Sequence, residues 1–360
     1  MRQLKKMLIL LLVMAISVSL GVVGCAPAPT PAPAPAPTPA PAPAAPEFYW
    51  RFQCPYPEAD LDYAVTTKGV AALIEKASDG QVKVDTYPAG ALVADEEILS
   101  AVIDGAIEIA MNMTGAQGEI IPTGYCTGLI GSAETLGEYY DLNYRTGLLD
   151  IVREDFREHG LYLIGTTLPG PACLRASFRL DSWDALKGRK GWANPADTNV
   201  LTELGGVCVD VPGYDMYSAM KLGTIEWHEW SVAELETLGW KEVTKSFVLQ
   251  PILKPASNDI FVNLEAWEAL GPELQKKIED AVIHGLVDLG LEYRDTNAKA
   301  LIAAEEYGVE MIRMSPADCA RFKDLCVKDW DSIATMSPRC AECIEIAKEW
   351  LKKKELVGPM

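Results

Sequence analysis

Residues 225 to 230, Ile-Glu-Trp-His-Glu-Trp, bring carboxylates, indoles and an imidazole into one short run. If the run is extended, Ile225, Trp227 and Glu229 share one face and Glu226, His228 and Trp230 the other, because strand side chains alternate. One of these faces is expected to look into a cleft. Cys340-Ala341-Glu342-Cys343 has the spacing of a redox or zinc motif. No βαβ pattern surrounds it, and Cys319 and Cys326 do not supply a second Cys-X-X-Cys. Its two thiols fall on one helical face, where a disulfide to the preceding helix is conceivable. Cys54, Cys126, Cys173 and Cys208 are scattered and read as buried apolar residues.

Enzyme signatures are missing. The chain has no GxSxG elbow, no HExxH, no Walker A loop and no GxGxxG after a strand. Three histidines are too few for a His-rich metal centre. The acids outnumber the bases 51 to 32, a formal charge of −19, and such a surface repels nucleic acid and anionic membranes.

The N-terminus carries an address. Arg2, Lys5 and Lys6 precede an apolar run from Met7 to about Val23, which ends in Val22-Val23-Gly24-Cys25. A basic segment, an apolar segment and small residues before the cleavage point make an export signal. The cysteine in the first mature position matches a lipid-attachment site, so Cys25 is expected to carry the lipid. Residues 26 to 46 are almost wholly Pro, Ala and Thr. Proline fixes φ and removes a donor, so the segment is an extended spacer. At the polyproline rise its reach is on the order of 65 Å. These features place the body outside the cytoplasm, lipid-anchored at the outer face of the cytoplasmic membrane.

The body, from Glu47 on, exceeds the usual size of one core and predicts two domains. Strands are expected at 48–53, 82–86, 107–113 and 161–166, with helices at about 61–74, 95–103 and 133–158 between them. This alternation predicts βαβ units and a largely parallel sheet. From Ala172 the rhythm repeats on a smaller scale, with strands at 174–180, 189–193, 207–211 and 225–230. Asp259–Asn263 returns as a strand. Leu274, Ile278, Val282, Leu286, Leu289 and Tyr293 then hold one apolar stripe along a helix of more than 30 residues. A helix that long crosses from one lobe to the other or packs in a dimer. A strand at 309–313 follows. Ser315-Pro316 and Ser337-Pro338 open two C-terminal helices. An exported α/β protein of two lobes without catalytic motifs points to a receptor that holds its ligand between them.

The order of segments resembles the solute-binding subunits of TRAP transporters, the DctP-type family, and most closely its 2-oxoacid and mannitol/chloroaromatic group. The resemblance rests on Tyr87-Pro88-Ala89-Gly90, the helix to Asp104-Gly105, Asp184-Ala185-Leu186-Lys187-Gly188 and Leu204-Gly205-Gly206. It continues through Val211-Pro212-Gly213-Tyr214-Asp215-Met216-Tyr217, Gly223 to Trp230, Leu238 to Val243, and Phe261-Val262-Asn263 with Trp267. It covers nearly all of residues 47–350. It implies a two-lobed periplasmic-binding-protein-like α/β fold with mixed sheets, a hinge and a long lobe-spanning helix. Expected boundaries are 1–24 for the signal, 25–46 for the tether, 47–168 plus 257–315 for lobe I, 169–256 for lobe II and 316–360 for the C-terminal helices.

The resemblance also implies a function. The chain is expected to capture a small organic solute, close by hinge motion and deliver it to the TRAP membrane permease. A receptor for an ABC-type importer is the alternative, and an exported lipid-anchored hydrolase a more distant one. A homodimer through the C-terminal helices is a further expectation. Family members usually place an arginine after the Leu-Lys-Gly turn to grip a substrate carboxylate in a bidentate pair. Counted without gaps from Gly188, that position is Trp192, whose indole carries no charge but offers a stacking face. Arg175 on the preceding strand is the displaced candidate. Glu229-Trp230 matches the family's Glu-Trp pair, so Glu229 is also the candidate ligand for a Na+ or Ca2+ ion beside the solute. The glutamine that completes that cation site falls near Pro171. Asn194, Tyr214 and Tyr217 are expected on the cleft wall. The departures at Trp192 and Pro171 imply a ligand other than a simple monocarboxylate.

Overall fold

Phe48–Gln53 (β1) buries Trp50 and Phe52 on one face, as the alternation of a half-buried strand requires. In the computed structural model, which describes residues 46–167 and 170–357, β1 is the second strand of a five-stranded sheet. Its order is β2 (Val82–Tyr87), β1, β3 (Ile109–Asn112), β11 (Asn258–Asn263) and β4 (Leu161–Thr167). β1 runs parallel to β2 and β3, whereas β11 returns antiparallel between β3 and β4. The largely parallel sheet expected from the alternation is therefore mixed. The late strand inserts into the middle of the early sheet, so the chain leaves this layer after β4 and comes back.

Between leaving and returning it builds most of a second mixed sheet, to which β12 (Glu310–Arg313) is added after the long helix. The order is β12, β9 (Ser246–Gln250), β5 (Pro171–Ala176), β8 (Trp227–Ser231), β6 (Lys190–Trp192) and β7 (Val207–Cys208), with β10 (Lys254–Pro255) beside β5. β5 lies antiparallel to both neighbours, β8 and β9. β5 stops at Ala176 instead of running to Leu180. β9 and β10 were not legible as strands, since Pro251 and Pro255 interrupt the apolar run 247–253.

Helices cover the layers. The expected helix over 133–158 is two helices, Leu136–Arg145 and Leu148–Glu158. Gly147 between them sits at φ 87°, a conformation that ends a helix and that glycine adopts without strain. The long helix Gly271–Tyr307 has Pro272 in its first turn and ends at Gly308. Ile278, Val282 and Leu286 join the core of the first sheet, while Ala300 and Ala304 join Val232, Leu235 and Phe247 on the second. The helix thus spans both layers. A Cβ at Gly285 would overlap Leu73, and one at Gly69 would press on Leu289. Removing either side chain lets helix 68–77 lie close against the long helix.

The C-terminal helices are Pro316–Ala334 and Pro338–Val357. Ser315 accepts from Asp318 N–H, and Cys340 N–H donates to Ser337 Oγ at 3.1 Å, as capping serines do. Cys340 and Cys343 share one face, as their spacing requires. They pack into the core that contains Cys126, not against a cysteine of the preceding helix. All eight cysteines among the described residues are free thiols, and Cys208 is only half buried. No helix among the described residues is long and apolar enough to cross a membrane. The leader, Cys25 and the tether lie outside the described residues.

Candidate functional site

The cavity of interest lies where the two sheets face one another and is small, about 30 Å³. Tyr56 after β1, Asp62, Met113 after β3 and Asn258 at the start of β11 form one side. Trp192 at the end of β6, Asn194, Glu229 and Trp230 at the end of β8, and Lys254 of β10 form the other. Crevices outside strand ends are where open α/β sheets bind ligands, because loops and side chains converge there without breaking the ladder.

Register explains how these residues meet. Lys254 pairs with Ala172, and Ala172 with Ser231, so β10, β5 and β8 lie side by side at the cavity floor. Trp192 pairs with His228 in parallel register, which brings the end of β6 beside β8. Glu229 and Trp230 occupy opposite strand faces, yet both line the cavity. The expectation that a single face would look inward fails here, because β8 ends at the opening and side chains from both faces wrap around it.

Glu229 is 2% exposed. Its Oε1 accepts the Asn194 backbone N–H at 2.8 Å, and no protein donor reaches Oε2. Burial, then the neighbouring Asp197 carboxylate, push its pKa well above the usual range. Lys254 forms a buried ion pair with Asp197. Burial works against its charge, but Asp197 and Glu229 outweigh it and raise the ammonium above its ordinary value. Asn194 also caps the turn 195–197 through Ala196 N–H at 3.1 Å, and its Nδ2 reaches Met113 Sδ across the cavity at 3.6 Å.

The opposite wall is also acidic. Asp62 receives the Tyr293 hydroxyl on Oδ1 at 2.8 Å, and Asp60 Oδ1 accepts the Asp62 N–H. Burial, then Asp60 and Glu234, raise Asp62 well above the carboxylate range. Burial pushes Asp60 up to about 6 and Glu234 to about 7. Tyr56 donates to Asn258 Oδ1 at 2.7 Å and closes this side.

Aromatic rings make the remaining wall. Trp192 and Trp230 have ring centroids 5.3 Å apart at 39°, and Trp240 stands edge-on behind Trp230 at 5.5 Å. A second small space of about 20 Å³ continues past Met113, Asn194 and Lys254 toward Thr114 and Thr127. Both threonines donate to buried Asp259, which burial pushes up to about 6.

Four sequence candidates, Trp192, Asn194, Glu229 and Trp230, therefore meet at one cavity. Arg175 does not line it. Its guanidinium is fully buried, donates to the carbonyls of Trp230 and Ser231, and lies 5.1 Å from the Trp240 ring. Burial lowers it to about 10. Tyr217 points elsewhere and donates to Glu242 at 2.8 Å among exposed side chains. The side chain of Tyr214 lies outside what the structure describes. His228 is enclosed against Trp240, and burial drives its pKa well below the ordinary value, so it stays neutral.

The residues around Glu229 do not suit a hard metal ion. No three His, Cys, Asp or Glu side chains converge on a metal position among the described residues. The nearest carboxylate, Asp197, is held by Lys254, which already supplies a positive charge there. The first position of β5, Pro171, brings no oxygen-bearing side chain.

Asp62, Asp197 and Lys254 were missed from sequence. Lys254 gave the one usable signal, a lone cation after the apolar run 247–253. Asp62 and Asp197 read as ordinary acids near helix starts, and only the fold shows them buried.

The family model for bacterial extracellular solute-binding protein, family 7 (DctP), matches residues 57–336. A monocarboxylate 2-oxoacid-binding periplasmic protein of Nostoc sp. is 23% identical over 275 residues, 75% of each chain. Among solved structures, a TRAP periplasmic solute binding protein from Chromohalobacter salexigens with bound (S)-(+)-2-amino-1-propanol superposes with TM-score 0.77 at 22% identity. It covers 87% of this chain and 98% of its own. One from Desulfovibrio salexigens with bound orotic acid gives TM-score 0.76 at 17% identity, covering 85% and 99%. Both solved structures are solute receptors of TRAP transport, which fits the TRAP reading and not ABC import. With a match that spans most of the folded body in a two-layered α/β architecture, the chain belongs to the bacterial extracellular solute-binding proteins of family 7, the solute receptors of TRAP transporters.

Proposed function

We propose that the cavity between the two sheets is the solute site of this receptor, with Trp192, Asn194, Glu229 and Trp230 on one wall and Asp62 on the other. The observation that carries this reading is the convergence of four indole, amide and carboxylate side chains from β6, the turn after it and β8 on Tyr56, Asp62 and Asn258 around one space. Residues 46–167 and 258–263 build one wall and 170–255 most of the other, so relative motion of the two layers opens and closes the space. Cleavage before Cys25 and lipidation of that cysteine hold the receptor at the membrane. The proline-rich spacer then keeps it within reach of the permease and raises its effective concentration there.

The ligand is not a simple monocarboxylate. By the resemblance Trp192 falls at the position where an arginine is expected, and no guanidinium lines the cavity. Both readings are tested by thermal unfolding and calorimetry on residues 47–360. Stabilisation by a small solute, lost in Trp230→Ala, supports the cleft assignment, whereas micromolar binding of pyruvate overturns the exclusion of monocarboxylates. Mass spectrometry of the membrane fraction tests the anchor: a Cys25→Ser chain that still partitions with membranes removes it.

A further inference from the structure

Five buried carboxylates stand on or just behind the cavity walls: Asp60, Asp62, Asp197, Glu229 and Glu234, each at most 4% exposed. Only two buried cations accompany them. Lys254 is committed to Asp197, and Arg175 is committed to two backbone carbonyls behind the wall. An incoming anion finds no free cation on the cavity surface and meets acids whose charged forms burial already disfavours. Buried charge that lacks a partner is costly, so a site of this composition favours a ligand that brings the missing positive charge.

Two further observations point the same way. Glu229 lines the cavity at 2% exposure; no amide or cationic side chain donates to its Oε2, and the side-chain hydrogen bond its carboxyl does make is with the Asp197 carboxyl. Beside it, Trp192 and Trp230 present tilted indole faces 5.3 Å apart. Indole faces attract ammonium groups through the ring quadrupole, most strongly where water is excluded.

Resting on the reading of this cavity as the solute site, we propose that the solute is a small organic cation, an amine or quaternary ammonium compound, seated against Trp192 and Trp230 with its charge facing Glu229 and Asp62. Lys254 holds Asp197 in place, so the cationic head is directed to the carboxylates that remain. The raised pKa values of Glu229 and Asp62 fit this role, because an arriving cation stabilises their ionised forms and expels protons on binding.

The test is calorimetry on residues 47–360 with choline, ethanolamine and putrescine as cations, pyruvate and malonate as anions, and mannitol as a neutral solute. At least one cation is expected to bind and release protons, seen as an enthalpy that differs between buffers of different ionisation heat. Glu229→Gln is expected to weaken that binding by about tenfold, as loss of one charge-assisted contact does. Trp192→Phe is expected to keep most of the affinity, so a folded variant remains if the glutamine variant fails to fold. If pyruvate, malonate or mannitol binds and no cation does, the cation inference falls while the receptor reading stands. If no probe binds a cooperatively melting protein, the cation inference falls and the cleft assignment loses its support as well. Cation binding without proton release, or unweakened in Glu229→Gln, overturns the seating proposed.

Discussion

The hydroxyl of Tyr293 donates to Asp62 Oδ1 at 2.8 Å, so the long helix holds one of the cavity's acids directly. The same hydroxyl lies 3.1 Å from Thr66 Oγ1. Both partners are buried, so loss of the donor leaves a buried carboxyl less satisfied. Tyr293→Phe is expected to destabilise the fold by about 1–3 kcal/mol, the cost of an unmet buried acceptor. Urea denaturation checks this, and a change below about 0.5 kcal/mol sits within the range of ordinary surface substitutions and would sink the argument.

Lys254 and Asp197 form a pair that is dear to break and cheap to replace. Both side chains are under a tenth exposed. Lys254→Met leaves Asp197 and Glu229 facing each other without a cation, and a loss of about 3–5 kcal/mol is expected. Lys254→Met with Asp197→Leu removes the charge pair together and is expected to recover most of that loss. If the double variant is no more stable than the single one, the pair is not what the lysine sustains.

The two predictions differ in how far the sequence could have led to them. The stripe through Tyr293 was legible, because a sustained period near 3.6 requires a buried helical face. That face was expected to span two lobes, and the helix does pack on both sheets. Trp192, Glu229 and Trp230 were legible through the family resemblance, and Asn194 as a neighbour on the face of Trp192. Lys254 was not, because Pro251 and Pro255 hid the short strand that carries it. Asp62 was not legible either: its burial depends on Tyr293, more than 200 positions away. Long-range burial of charge leaves no local pattern, so the acidic walls emerge only from the fold.

Those walls set a pH dependence. In the folded chain Asp60 lies at about 6, Glu234 at about 7 and Asp259 at about 6, each raised chiefly by burial. The unfolded values lie near 4. The folded state therefore holds more protons between about pH 4 and 7, and stability falls as pH rises through that window. The groups facing the first two are Asp62 and Tyr293 from one side and Arg175 from the other, and they do not reverse the sign. Without ligand, the melting midpoint is expected to be several degrees higher at about pH 5 than at pH 8. Glu234→Gln should flatten the slope. An identical slope in that variant would assign the effect elsewhere.

Cys126 hydrogen-bonds to Cys340 and Cys343, which brings three thiols into mutual reach. The hydrogen bond from Cys126 lowers the Cys340 thiol to about 7, which favours its reactive thiolate form. In the oxidising environment of an exported protein, one disulfide is expected between Cys126 and either helix cysteine, with the third thiol left free. It would tie the last helix to the first-sheet core and close a long loop, worth about 5 kcal/mol in the chain-entropy account. Peptide mapping without reductant checks the pairing. Equal alkylation of all three thiols in protein purified from the exported fraction would refute it.

Trp230 separates stability from binding most sharply. It is half-buried between Trp192 and Trp240, with Gly213 close behind its ring, and it lines the cavity. In the proposed site its indole would supply a contact face, while the core beneath it is built from the buried Trp240, Met216, Met220 and Ile225. Trp230→Ala is therefore expected to leave a cooperatively folding protein whose affinity drops by about tenfold, the scale of one lost aromatic contact. Trp230→Phe keeps a ring and should recover part of that loss. The measurement is a titration followed by the quench of intrinsic fluorescence, with far-UV circular dichroism as the fold control. Affinity unchanged in the alanine variant would place the ligand elsewhere. Affinity equal in the alanine and phenylalanine variants would mean that the ring face contributes nothing and that the neighbouring carboxylates alone hold the solute.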